Sequence, residues 1–113
     1  MVNLINNQCS AAISPLGAEL QSLVHTQTGM EYMWEGNPAY WGKHSPVLFP
    51  IVGSLKENTY FFEGKAYPLP RHGFARERTF SVQQVSESKA VFTLEADEES
   101  RKVYPFDFRF QLI

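Results

Sequence analysis

Five consecutive residues, His72, Gly73, Phe74, Ala75 and Arg76, hold the clearest chemical potential in this chain. Residues four apart share a side of a strand or a helix, so the spacing predicts that His72 and Arg76 converge on one ligand. A histidine donates to an oxygen or exchanges a proton near neutral pH, and an arginine offers a planar fork for paired acceptors. Gly73 reads as a point where a ligand approaches the backbone, and Phe74, Trp41 or Tyr60 as an aromatic face against that ligand. Residue types alone leave ordinary readings open beside these. A loop histidine is more often bonded to a backbone carbonyl, an arginine such as Arg76 more often pairs with a neighbouring carboxylate such as Glu77, and Trp34, Trp41 and Phe49 suit a core.

Pro68 and Pro70 precede the segment and hold its approach extended. Upstream lies a second distinctive run, Pro46 to Gly53, which is apolar and bracketed by prolines that exclude a regular central strand. It is expected to shape a wall. It sits in a strand-poor stretch from Glu35 to Thr59, and connections of that length are usually functional. His44, in the same stretch, and His25, at the end of a strand pattern, carry no comparable argument. Three scattered histidines and one cysteine, Cys9, give neither an i, i+4 ligand pair nor an internal disulfide, so no metal site is expected.

The elements that must position these residues read as strands. Val2 to Asn6, Ala11 to Ser14 and Ala18 to His25 alternate with period two between turn signals, and Met30 to Trp34 is expected to follow them as a fourth. Phe61 to Tyr67 reads as a hairpin closed by Glu63 and Gly64. Thr79 to Ser86 and Lys89 to Ala96 form a second pair, with Ala90, Phe92, Leu94 and Ala96 on one face. Asp97 to Lys102 is polar enough for a helical turn. The last segment alternates most cleanly, with Phe106, Phe108, Phe110 and Leu112 on one side and Asp107, Arg109 and Gln111 on the other. Three phenylalanines on one face require cover, so following chain or another partner surface is expected there.

A chain of 113 residues that is 43% hydrophobic suits one globular core, so residues 1–113 are expected to belong to a single domain. Its net charge of −2, with both signs dispersed, provides no stripe for nucleic acid. Residues 1–14 carry no basic residue ahead of an apolar run, which argues against a signal peptide, and no stretch approaches the roughly 18 apolar residues of a membrane span. A cytoplasmic protein without membrane partners is the expectation.

The order of the signals resembles the aldose 1-epimerase superfamily, and within it the galactose mutarotase-related bacterial branch. Trp34–Glu35–Gly36, Pro38, Trp41, the Pro46–Gly53 run, Gly64, Tyr67, Leu69, His72–Arg76 and Tyr104–Pro105–Phe106 carry that resemblance, from about Leu16 onward. It implies an all-β fold, the antiparallel galactose mutarotase-like supersandwich, of which this chain is expected to be an incomplete N-terminal part. It implies an isomerase that interconverts the α and β anomers of a small-molecule sugar, an aldose or a hexose phosphate, without a cofactor. His72 matches the family's first substrate-contacting histidine, giving it a catalytic, polarising role as well as a binding one, and Arg76 matches the arginine of the same motif. The family's glutamate base and second histidine lie well downstream, so this chain alone is expected to be inactive. Ser54 stands where many relatives carry a substrate-contacting arginine, which keeps open a non-catalytic carbohydrate-binding protein on the same fold. The oligomeric state is left open.

Overall fold

The computed structural model describes residues 1–113. Strands β1 (Val2–Ile5), β2 (Cys9–Ser14) and β3 (Glu19–His25) form an antiparallel meander in the order β1-β2-β3. Asn6 closes its first turn, because its Oδ1 accepts from the N–H groups of Gln8 and Cys9, both at 2.8 Å. That side-chain mimic of a backbone turn starts β2 at Cys9, two residues before the sequence-based expectation. The β2–β3 register shifts by a bulge between Ala12 and Ile13.

Strands β4 (Thr59–Phe62) and β5 (Lys65–Pro68) make the expected hairpin, and Glu63 and Gly64 turn it with positive φ values of 49° and 76°. The twist of such a turn matches that of the flanking strands. Strands β6 (Ser81–Ser86), β7 (Lys89–Glu95) and β8 (Arg109–Leu112) form the third antiparallel sheet, in the order β6-β7-β8. Between β7 and β8 runs one helix, α1 (Glu98–Val103), started by a capping box in which Asp97 accepts from Ser100 N–H at 2.7 Å and Ser100 Oγ accepts from Asp97 N–H at 2.9 Å. No helix is long and apolar enough to cross a membrane.

Met30–Trp34 departs from expectation: it is not a strand, and only Glu31 bridges, to Val24. The Glu31 carboxylate accepts from Leu23 N–H at 2.8 Å, from Met33 N–H at 2.9 Å and from the Ser22 hydroxyl. One side chain thus takes up donors that a ladder would need, which is how short polar bonds displace regular structure. Those same bonds, the Ser22 hydroxyl foremost, hold the Glu31 carboxyl below its ordinary range.

The first and third sheets are joined by backbone bonds from Ile5 N–H to Glu87 O (2.7 Å), Gly17 N–H to Arg78 O (2.8 Å) and Phe80 N–H to Pro15 O (2.9 Å). Ala18, Ala75, Phe80, Ala90 and Phe92 are buried between them. Beside this core Phe49 gathers an aromatic cluster: it stacks on Phe110 at 4.4 Å, lies 5.1 Å from Phe108 and meets Phe74 and Tyr104 edge-on, each at 6.1 Å. The alternation expected from Phe106 to Leu112 is observed, with the apolar set half-buried and Asp107, Arg109 and Gln111 exposed. The molecule is a slab of 57 × 35 × 15 Å with a radius of gyration of 16.6 Å. A compact domain of similar length has a radius of about 13 Å.

Candidate functional site

Phe49 organises the site as well as the core. Its carbonyl accepts from Phe74 N–H at 2.9 Å and Ala75 N–H at 3.1 Å, and a parallel bridge pairs it with Gly73. The Pro46–Gly53 run is thereby laid alongside His72–Arg76. A Cβ on Gly73 would lie 2.3 Å from Phe49 O, so glycine is required by the close approach of protein backbone; the ligand approach expected from sequence is not what this glycine accommodates.

His72 is fastened from both ends. Its N–H donates to Gly53 O at 2.9 Å, and Gly53 N–H donates to His72 Nδ1 at 2.8 Å. The residue has φ of 65°, a left-handed conformation that non-glycine residues adopt at a cost. This reciprocal lock fixes the chemistry of the ring. A backbone N–H can only donate, so Nδ1 is the acceptor and the proton of the neutral imidazole resides on Nε2. Arg71 Nε lies 3.1 Å from that Nε2. A neutral imidazole cannot accept at both nitrogens, so two N–H donors confront each other there and share the need for an acceptor oxygen. Partial desolvation, then the Arg71 and Arg76 cations, lower the His72 pKa from its ordinary value and favour the neutral ring.

Arg76 occupies a short 3-10 turn, Ala75–Glu77, and donates from Nη2 to Arg71 O at 3.2 Å. Its Nε is buried without a hydrogen-bond partner. His72 and Arg76 line one cleft of about 430 Å³, together with Arg71, Trp41, Lys43, Pro46 and Leu48. The convergence expected from their spacing is therefore present, and the proline-bracketed run supplies a wall. Trp41 is half exposed, and Trp34 Nε1 donates to its carbonyl at 2.7 Å. An indole face beside polar donors suits the C–H groups of a sugar.

Phe74 is placed elsewhere: 7% exposed, it packs on Phe49, Tyr104 and Phe108 and beneath the Arg78 guanidinium. Tyr60 is also outside the cleft, stacked on Tyr67 with its hydroxyl donating to Val103 O at 2.6 Å. His44 packs against Gly36, and Ser54 is exposed beside Gly53. Lys43 and Arg71 were not singled out by sequence reasoning. Each immediately precedes a histidine, but only the pairing of Phe49 with Gly73 brings residues 28 positions apart to one cleft.

With this geometry in view, the family model described as Aldose 1-epimerase matches residues 1–113. The chain belongs to the aldose 1-epimerase family. The galactose mutarotase related enzyme of Lactobacillus acidophilus superposes with a TM-score of 0.94 at 47% identity, over 97% of this chain and 37% of that one. A galactose mutarotase-like protein of Lactobacillus casei gives 0.94 at 38% identity, over 98% and 38%. Protein LacX of Lactococcus lactis subsp. lactis, in plasmid and chromosomal forms, is 29% identical across 99% of this chain. The chain spans 39% of the length of those LacX relatives. The all-β, antiparallel fold expected from the resemblance is that of these family members.

Proposed function

We propose that this aldose 1-epimerase family chain forms the sugar-receiving part of a mutarotase-like isomerase, one that interconverts the α and β anomers of an aldose. The observation carrying this reading is the His72–Gly53 lock, which presents an Nε2–H donor to a cleft lined also by Arg76 and Trp41. Anomer exchange proceeds by ring opening. A base removes the proton of the anomeric hydroxyl, the bond from C1 to the ring oxygen breaks, and that oxygen receives a proton; reclosure on the other face of the carbonyl reverses these transfers.

In this reading the His72 Nε2–H donates to a sugar oxygen as charge develops on it, and Arg76 holds a neighbouring oxygen. Trp41 faces the C–H side of the ring, one of the three aromatic residues expected for that role. The base and acid are supplied by the remainder of the protein, and the 113-residue chain alone does not accelerate the reaction.

Polarimetry or proton NMR of freshly dissolved α-anomers, free and phosphorylated, tests the proposal with protein from the complete reading frame. Acceleration over the spontaneous rate is expected, with a loss of about 100-fold in His72→Asn. Asparagine is chosen because it tolerates the left-handed backbone at this position. Saturable sugar binding without acceleration would instead establish the non-catalytic carbohydrate-binding reading, which the resemblance keeps open at Ser54, an exposed residue.

A further inference from the structure

The two sides of the cleft are held by different means. Arg71, His72 and Arg76 belong to the segment that the Phe49 and Gly53 carbonyls fasten, whereas Trp41, Lys43, Pro46 and Leu48 lie in a stretch with neither helix nor strand. A wall without regular structure keeps its shape only where its backbone groups find partners. From Gly42 to Leu48 only two backbone N–H groups, those of His44 and Ser45, meet a protein acceptor. Both donate to the same atom, Glu19 Oε1, at 3.0 and 3.1 Å.

Glu19 is well placed to act as a post. It is the first residue of β3, in register with Ser14 of β2, and follows the buried Gly17 and Ala18. It forms no ion pair with a lysine or arginine, so its half-buried charge is answered by N–H groups: the two from the wall and the Gln21 amide, which donates to Oε2 at 3.3 Å. Hydrogen bonds to an ionised acceptor are about twice as strong as neutral ones. Ser45 Oγ adds a tie to Leu20 O at 2.7 Å. The anchor reaches further through the His44 ring, which packs so closely on Gly36 that a Cβ there would lie 2.6 Å from its Cε1. From the same loop Trp34 Nε1 holds the carbonyl of Trp41.

We propose that Glu19 is a positioning residue for sugar binding: its carboxylate, outside the cleft, accepts from His44 and Ser45 and thereby sets the wall formed by Trp41, Lys43, Pro46 and Leu48. This inference rests on the sugar-isomerase reading of the same cleft and adds a residue to it. The His72–Gly53 lock contains no atom of Glu19, so the two sides are separable. Loss of Glu19 loosens the surface that receives the sugar and leaves the proton-donating ring in place.

The test measures KM and kcat for anomer exchange of galactose and glucose, using protein from the complete reading frame. Glu19→Ala is expected to raise KM by about tenfold or more, with kcat kept within about twofold. Glu19→Gln retains a carbonyl oxygen for the two N–H groups and is expected to restore most of that loss. Asp97→Ala removes the capping box of α1, away from the cleft, and is expected to lower thermal stability with KM unchanged. A KM raised equally in Asp97→Ala and Glu19→Ala, a loss confined to kcat, or no recovery in Glu19→Gln each overturns the positioning role and leaves the isomerase reading standing. If neither sugar is turned over, the isomerase reading fails, and calorimetric affinity for the same sugars replaces KM. Affinity weakened in Glu19→Ala and restored in Glu19→Gln supports the role, and absence of affinity in the unaltered protein overturns it. Amide hydrogen exchange in unaltered protein makes the outcome independent of any variant folding. His44 and Ser45 are expected to exchange at least about tenfold more slowly than Lys43, whose N–H has no acceptor, and equal rates overturn the proposal.

Discussion

At the scale of the residue, the ionisation of His72 links local geometry to pH. Partial desolvation first, and then the Arg71 and Arg76 cations, disfavour the protonated ring, whose added hydrogen would also meet Gly53 N–H at Nδ1. Its pKa is thus lower in the folded protein than in the unfolded chain, where it lies near 6.5. Within the window below about 6.5 the unfolded state binds more protons, so stability rises with pH there and is retained at neutral pH. The His72 ring, followed by proton–nitrogen correlation spectroscopy, is expected to titrate below 6.5, with its neutral form protonated at Nε2. A midpoint at or above 6.5, or a neutral tautomer protonated at Nδ1, would show that the lock is absent in solution. Little of this was legible in the sequence. The pairing of His72 with Arg76 follows from a four-residue spacing, but the tautomer depends on Gly53, nineteen positions away, and Arg71 gains its meaning from where that lock turns the ring.

Among the elements, those set by short-range chemistry were the legible ones. Glu63–Gly64 announces its hairpin, the polar run from Asp97 to Lys102 announces a helical turn, and the phenylalanine alternation announces the face of β8. Met30–Trp34 was misread because its pattern is strand-like while the Glu31 carboxylate binds the local N–H groups. Phe74 packs into the aromatic cluster rather than lining the cleft, because in a segment without regular periodicity the sequence does not reveal which side chain turns inward. The bridge between Phe49 and Gly73 is the element-level feature with the greatest leverage, since it joins core, wall and site. Gly73→Ala meets both a positive φ of 70° and a contact of 2.3 Å with Phe49 O, whereas Gly64→Ala meets a φ of 76° and open space. The left-handed backbone alone costs about 1–2 kcal/mol. Urea unfolding is therefore expected to show a loss of about that size for Gly64→Ala and a clearly larger one for Gly73→Ala. Equal losses would mean that the bridge yields without cost.

Across the whole molecule, the slab shape leaves an apolar groove between the first and third sheets. Leu4, Ile13, Leu20, Val47, Phe92 and Leu112 line it, and its volume is about 290 Å³. This groove and the cationic cleft lie on either side of the same run, because Val47 lines the one while Pro46 and Leu48 line the other. Alternation along an extended segment sends successive side chains to opposite faces, so three residues serve two surfaces of opposite character. An environment-sensitive dye separates them. The 113-residue chain in isolation is expected to enhance anilinonaphthalene sulfonate fluorescence through the apolar groove, and Val47→Lys is expected to reduce that signal by about half or more, since a charge there disfavours apolar docking. The dye is also an anion, so the cationic cleft is a competing site. Lys43→Gln/Arg71→Gln distinguishes the two, because it removes charge from the cleft and leaves every groove residue in place. A signal lost in that double variant but retained in Val47→Lys would assign the dye to the cleft and show that the groove is closed in solution.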